Sequence, residues 1–329
     1  MAAVVPQGGS RKCNIHLHMK TFVKVIEVWV PDRERTLLEL GAGLYGDYQE
    51  FKQVSELKRF FYNEGLPGRA WASGKPVVLT QFDDSYFRRI DAARQVGLTA
   101  GIALPVFAGS FLLGVVVFLC GDEEEHAGAI EVWGRDAEIA SEMTLIDGYY
   151  GTLRKFEWIS RHVNIGRGHG LPGGVWDSRL PMLIDDLGHF DPFVRSSNAE
   201  QAGIDTGMGI PCLRGRDEVY AVNFLSARET PIARRFEIWV PAGRSGLVFK
   251  AGHCDQGIEI EMNYRSSSIA KGEGTIGRVW LTGVPAVCEG LETDNSVAGR
   301  SARLVGLNSM LALPVIDGVN LTAVVAMYL

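Results

Sequence analysis

Long apolar runs are missing from this chain. The longest, residues 111–120, has the length of a strand, far short of the roughly 18 residues that a membrane span needs. Residues 1–20 hold no apolar stretch of signal-peptide type, and the Gly-Gly-Ser-Arg-Lys patch at 8–12 reads as part of a frayed tail over 1–19. A cytoplasmic protein without membrane contact is expected. Cysteine is scarce: Cys13, Cys120, Cys212, Cys254 and Cys288 are odd in number and show no Cys-x-x-Cys spacing. A disulfide framework and a thiolate zinc site are thereby set aside, and reduced, mostly buried thiols are predicted. Basic excess is missing too. Net charge is −6, and segments 20–124, 125–229 and 230–329 hold 12, 10 and 9 basic residues against 14, 16 and 9 acidic ones. Such a balance offers no stripe for a phosphate backbone, so no nucleic-acid partner is expected. No Ser/His/Asp order, phosphate-cradling glycine loop or acidic metal cluster stands out, and catalysis is not expected.

What the chain does have is one pattern three times. Ile26-Glu27-Val28-Trp29 returns as Ile130-Glu131-Val132-Trp133 and as Phe236-Glu237-Ile238-Trp239. Each copy is followed by a glycine-bracketed run and a tryptophan: Gly65-Leu66-Pro67-Gly68 with Trp71, Gly170-Leu171-Pro172-Gly173 with Trp176, and Gly274-Thr275-Ile276-Gly277 with Trp280. A period near 105 residues is one small domain, too long for a solenoid repeat. Three units are predicted, 20–124, 125–229 and 230–329, the last ending within its final strand. About ten residues join neighbouring strands across the boundaries, without a Gly/Ser or Pro tether, so the units should pack together.

Within the first unit, 22–31 and 36–44 flank a polar turn and read as a hairpin. Residues 50–62 place Phe51, Val54, Leu57, Phe60 and Phe61 at helical spacing. A short helix over 69–73, a brief strand at 76–80, a helix over 85–95 and a closing hairpin of 100–107 and 111–120 complete the order. Hairpins at both ends with helices between them predict an α+β unit, an antiparallel sheet of about five or six strands with helices on a face. The third unit shows no clear counterpart to the 50–62 helix. Its last strand, 323–329, is apolar with no helix after it, which predicts burial by self-association or by another unit.

The run Gly65-Leu66-Pro67-Gly68-Arg69-Ala70-Trp71-Ala72-Ser73-Gly74-Lys75-Pro76, with Ala103-Leu104-Pro105-Val106 and Leu113-Gly114-Val115-Val116-Val117-Phe118 downstream, resembles the GAF domain family. The match is strongest in the first unit and weakest in the third, where Thr275-Ile276 replaces Leu-Pro. The resemblance implies a sensory or regulatory module that binds a small molecule or a signalling partner. No output domain or flanking signalling helix is expected here, and the resemblance names neither ligand nor cofactor.

The bracketing glycines and the tryptophans read first as structural, because they recur in units with different surroundings. Ligand-specific residues should instead differ among copies. In GAF domains the pocket lies between the sheet and the segment from the short strand through the second helix. That segment carries Phe82, Tyr86, Phe87 and Arg89 in the first unit and His189, Phe193 and Arg195 in the second; rings can enclose a ligand and a guanidinium can hold a carboxylate or phosphate. Surface arginines beside a helix that merely closes the core would look the same in sequence. The third unit has Asp294, Asn295, Ser296 and Arg300 there. The rival reading is a thiol- or metal-dependent sensor or reductase centred on the second unit, similar to the methionine sulfoxide reductases built on this domain. His162, His169, His189 and Cys212 motivate it, although no His-x-x-x-His or Cys-x-x-Cys spacing links them.

Overall fold

A computed structural model describes residues 21–121, 127–135, 140–190, 194–215, 218–243, 246–257 and 259–329. The N-terminal tail and Cys13 lie outside the described residues. The first unit comprises β1 (Val23–Pro31), β2 (Leu37–Leu44), α1 (Gln49–Glu56), β3 (Arg59–Phe61), α2 (Gly65–Ser73), β4 (Val77–Leu79), α3 (Ile90–Gln95), β5 (Leu98–Ala108) and β6 (Phe111–Gly121). The second comprises β7 (Ala127–Gly134), β8 (Thr144–Gly151), α4 (Arg154–Ser160), α5 (Gly170–Ser178), β9 (Met182–Ile184), α6 (Ser196–Gln201), β10 (Ile204–Arg214) and β11 (Glu218–Ala227). The third comprises β12 (Arg235–Pro241), β13 (Leu247–Cys254), α7 (Ile260–Tyr264), β14 (Ser268–Ile269), α8 (Gly274–Thr282), β15 (Ala286–Cys288), α9 (Val297–Leu304), β16 (Met310–Asp317) and β17 (Asn320–Tyr328).

Each unit is an antiparallel sheet with helices on one face, in the orders β3-β2-β1-β6-β5-β4, β8-β7-β11-β10-β9 and β14-β13-β12-β17-β16-β15. The α+β architecture agrees with the sequence reading. Trp71, Trp176 and Trp280 are each the seventh residue of a nine-residue helix. They are half-buried, whereas Trp29, Trp133 and Trp239 are fully buried, so only the latter are core as expected.

Three local differences have physical causes. The helix expected over 50–62 stops at Glu56, because Arg59–Phe61 pairs with β2 and puts Phe60 inward, edge-on to Trp29 at 4.7 Å. The helix expected from residue 85 begins at Ile90; Ser85 Oγ donates to the Phe82 carbonyl and accepts from the Phe87 amide, holding a turn instead. The bracketing glycines, read as a turn before a helix at 69–73, form the first turn of α2, α5 and α8. Gly65, Gly170 and Gly274 have φ of 60°, 57° and 59°. A Cβ on Gly68, Gly173 or Gly277 would lie 2.2 Å from a backbone oxygen of Phe61, Gly166 or Ala270. The first glycine supplies the left-handed backbone, the second the close approach.

The opposite face of every sheet is also buried. Val116, Phe118 and Cys120 of β6, Val222 and Phe224 of β11, and Val325 and Met327 of β17 meet in one core shared by all three units. Double burial explains why β6 and β17 read as continuous apolar runs. The last strand, β17, sits inside its sheet with Ala323, Val325 and Met327 on the shared core and Val324, Ala326 and Tyr328 toward the helices. It is covered by its own chain, which removes the premise for expected self-association. The arrangement is cyclic. β4 lies against β8, β9 against β13, and β15 against β2; β5, β10 and β16 meet around Pro105, Pro211 and Pro314. The seam contacts repeat in the same sense: Gly74 at the end of α2 meets Arg214 of the second unit, Arg179 at the end of α5 forms a bidentate pair with Asp317 of the third, and Gly283 at the end of α8 meets Leu113 of the first.

Candidate functional site

The carboxylate of the repeated Glu-x-Trp sequence organises the interior of every unit. Residues two apart on a strand share a face, and Trp29, Trp133 and Trp239 donate their indole N–H to Glu27, Glu131 and Glu237 at 2.9, 2.8 and 2.8 Å. Arg89 grips Glu27 bidentately at 2.5 and 2.8 Å and donates to Ser55 at 2.5 Å. Tyr45 completes the set at 2.9 Å. The second unit repeats it with Arg195 on Glu131 at 2.5 and 2.9 Å, plus Ser160 and Tyr150. Its third counterpart is reached differently: Arg235, from the strand itself, pairs with Glu237, while Tyr264 and Tyr328 donate to that carboxylate at 2.9 and 2.8 Å. The guanidinium has moved from the second helix to β12, and a Glu–Arg–Tyr cluster persists.

Burial by itself would raise the Glu27 and Glu131 carboxyls; the arginine opposite each, with the Trp and Tyr donors, outweighs it and holds both below the ordinary glutamate range. Burial, followed by the neighbouring Glu131 charge, pushes the Tyr150 hydroxyl up. These are closed ion pairs in the middle of the fold.

Arg89 and Arg195 therefore do not stand on the surface, and neither faces an open cavity. The Arg89 guanidinium lies 4.7 Å from the Phe51 ring and 5.2 Å from Phe87, and Phe82 stacks on Phe87 at 3.8 Å. Tyr86 is half-buried against the core, with the Arg69 guanidinium 3.8 Å from its ring. His189 is exposed and paired with Asp186 at 3.0 Å, which raises the imidazole above its ordinary value. Phe193 lies outside the described residues. Asp294 of the third unit is buried and accepts from the Thr275 amide at the start of α8, while Arg300 is exposed. Sequence reasoning missed Glu27, Glu131 and Glu237. Their signal was available: an acid kept in three otherwise apolar strands implies a buried, partnered charge.

Open volume lies at equivalent places on the outer sides of the first two units. In the first, a cleft of about 280 Å³ is lined by Thr80, Gln81, Phe82, Ile90, Arg94 and Thr99. Its second-unit counterpart, about 350 Å³, is lined by Asp186, His189, Glu200, Asp205, Arg228 and Glu229. The four described cysteines are buried and unpaired. Cys120 and Cys212 sit in the shared core, where burial pushes the Cys212 thiol up to about 12. Cys254 and Cys288 lie on strands near opposite edges of the third sheet. No cluster of three or more His, Cys, Asp or Glu side chains suited to a metal occurs among the described residues.

Residues 19–140 match the family model described as GAF domain. The first unit is a GAF domain. Solved structures similar to this chain include a free methionine-R-sulfoxide reductase from Neisseria meningitidis in complex with its substrate (18% identity, 30% of this chain and 52% of that one, TM-score 0.24). The A. aeolicus nlh2 GAF domain in an inactive state is 23% identical over 30% of this chain and 59% of that one, with a TM-score of 0.25. A Staphylococcus aureus NreA protein mutated in its nitrate binding site is 14% identical over 33% and 81%, with a TM-score of 0.27. The first two matches span between half and three-fifths of those chains. No curated protein matches this chain in sequence. No helix among the described residues is long and apolar enough to cross a membrane.

Proposed function

We propose that this protein is a non-catalytic regulatory GAF module of the cytoplasm that senses a small molecule at the outer clefts of its first two units and acts through a protein partner. One observation carries the reading: the same place in two units is open, at about 280 and 350 Å³, with different linings. Shared position with divergent chemistry is what separately tuned binding sites would show. Phe82 and His189, from the segments expected to bind, stand on these cleft walls. Arg89 and Arg195 contribute from behind, fixing the starts of α3 and α6 against the sheet. A thiol-based reductase has less support, since the four described cysteines are buried. Native mass spectrometry of protein taken from its own host tests the reading. A retained molecule, lost on Phe82→Asp or Glu200→Lys substitution, is expected; empty protein that host metabolite extract fails to stabilise against heat overturns it.

A further inference from the structure

A third cleft, about 340 Å³, lies in the seam between the second and third units. At the matching place between the first and second units Tyr149 fills the gap, 5.5 Å from Phe22. Strand register puts His253 where Tyr149 stands, since Ile130 pairs with Tyr149 and Phe236 with His253. The smaller imidazole leaves the seam open. Its floor is Thr206 beside Ser226, where the first unit has Ala100 beside Cys120. Ser226 Oγ accepts from the Ile232 amide. Thr206 is only 3% exposed, and its hydroxyl has no hydrogen-bond partner among the described residues. Thr206 lines the cleft, where its hydroxyl can accept from a ligand or water.

This seam cleft joins the second-unit cleft through Asp205, Ala227 and Arg228, which line both. Six carboxylates border the two lobes: Asp185, Asp205 and Asp255 on the seam side, Asp186, Glu200 and Glu229 on the other. Three of the six are paired, Asp205 with Arg228 at 3.2 Å, Asp255 with Arg234 at 3.0 Å and Asp186 with His189 at 3.0 Å, which leaves Asp185, Glu200 and Glu229 facing the clefts. An anionic ligand would face that acidic wall. A compact metal ion needs converging ligands, and these carboxylates form no such group. Spread over two lobes, they suit a cation whose charge is also spread.

We propose that the joined clefts bind a linear aliphatic polyamine, its ammonium groups set against Asp185 in one lobe and Glu200 in the other, one of them donating to Thr206. Ammonium groups only donate, and carboxylates with a spare hydroxyl oxygen are the matching acceptors. The proposal rests on the small-molecule reading for the second-unit lobe alone; the seam lobe is additional. Calorimetry of the full chain with spermidine at about 0.15 M salt, where the screening length is about 8 Å, tests it. One spermidine per chain is expected. Asp185→Asn and Glu200→Gln should each weaken binding about tenfold, as loss of one charge-assisted hydrogen bond implies, and Asp91→Asn on the first unit should not. Unchanged melting temperatures would confirm that the variants are folded. Absence of binding at millimolar spermidine, or binding that ignores both lobe substitutions, overturns the polyamine assignment. A different molecule retained from the host would do so too while leaving the regulatory reading intact.

Discussion

Replacing Arg89 by methionine removes the counter-ion of a carboxylate that has no exposure. Glu27 keeps Trp29 and Tyr45 as donors at 2.9 Å each but loses the two guanidinium contacts at 2.5 and 2.8 Å. Ser55 loses a donor as well. Breaking a buried pair by removing one partner costs about 3–5 kcal/mol, because the remaining charge stays in a low-dielectric interior. The cost should depend on pH. In the native protein the Glu27 carboxyl is held below its ordinary 4.5, so its contribution is fully present above that value and fades as pH falls through the lower folded one. In the variant, burial without the arginine raises the carboxyl above 4.5, so the protein loses stability as pH rises through the raised value. The difference between the two proteins should therefore widen from pH 4 to pH 7 and then level. Urea unfolding followed by tryptophan fluorescence at several pH values measures it. Glu27→Leu combined with Arg89→Met should cost less than Arg89→Met alone, since no orphaned charge remains. A penalty under about 1 kcal/mol, or one that does not vary with pH, would refute a closed ion pair at this position.

Glycine positions give a second check. Gly68→Ala places a Cβ 2.2 Å from the Phe61 carbonyl oxygen and should cost about 1–3 kcal/mol in chemical denaturation, as overpacking does. Gly97→Ala has open space at φ 72° and should cost only about 1 kcal/mol, the left-handed penalty alone. The thiols of Cys120 and Cys212 should resist Ellman's reagent in the native state and react on denaturation, because burial raises both. The Arg179–Asp317 pair spans two units, but its side chains are 24% and 38% exposed. Arg179→Ala should then lower stability by only about 0.5–1 kcal/mol, measured by thermal melting at low and high salt.

How far the sequence foretold the structure depended on which forces leave local marks. Strand pairs were legible because alternation records backbone geometry directly; the α2-type helices were legible only in part, since their paired glycines read as a turn ahead of 69–73 and form the first helical turn instead. The end of the first helix was not: Phe60 and Phe61 fit helical spacing, and only an available edge on β2 turned that stretch into a strand. Arg89 and Arg195, expected to line a pocket, instead close on carboxylates 62 and 64 residues away, a separation no local pattern encodes. Arg235 was invisible for a related reason. It replaces a helix residue of the other units with a strand residue, so comparing equivalent positions misses the exchange. The clefts arise from packing between elements, and the sequence held only their side chains.

The cyclic seams bear on how the chain comes to be folded. Lys52 pairs with Glu289 across 237 residues, and β2 must wait for β15 before that seam can close. During synthesis at roughly 5–20 residues per second, the first unit would spend many seconds with the far side of its sheet uncovered. Val116 and Phe118 are part of that side. The shared core is thus a late, long-range event, and such closures are slow and prone to aggregation. A nascent chain halted after its second unit would be a substrate for chaperones, and the third unit acts as the closing wedge that ends this exposure.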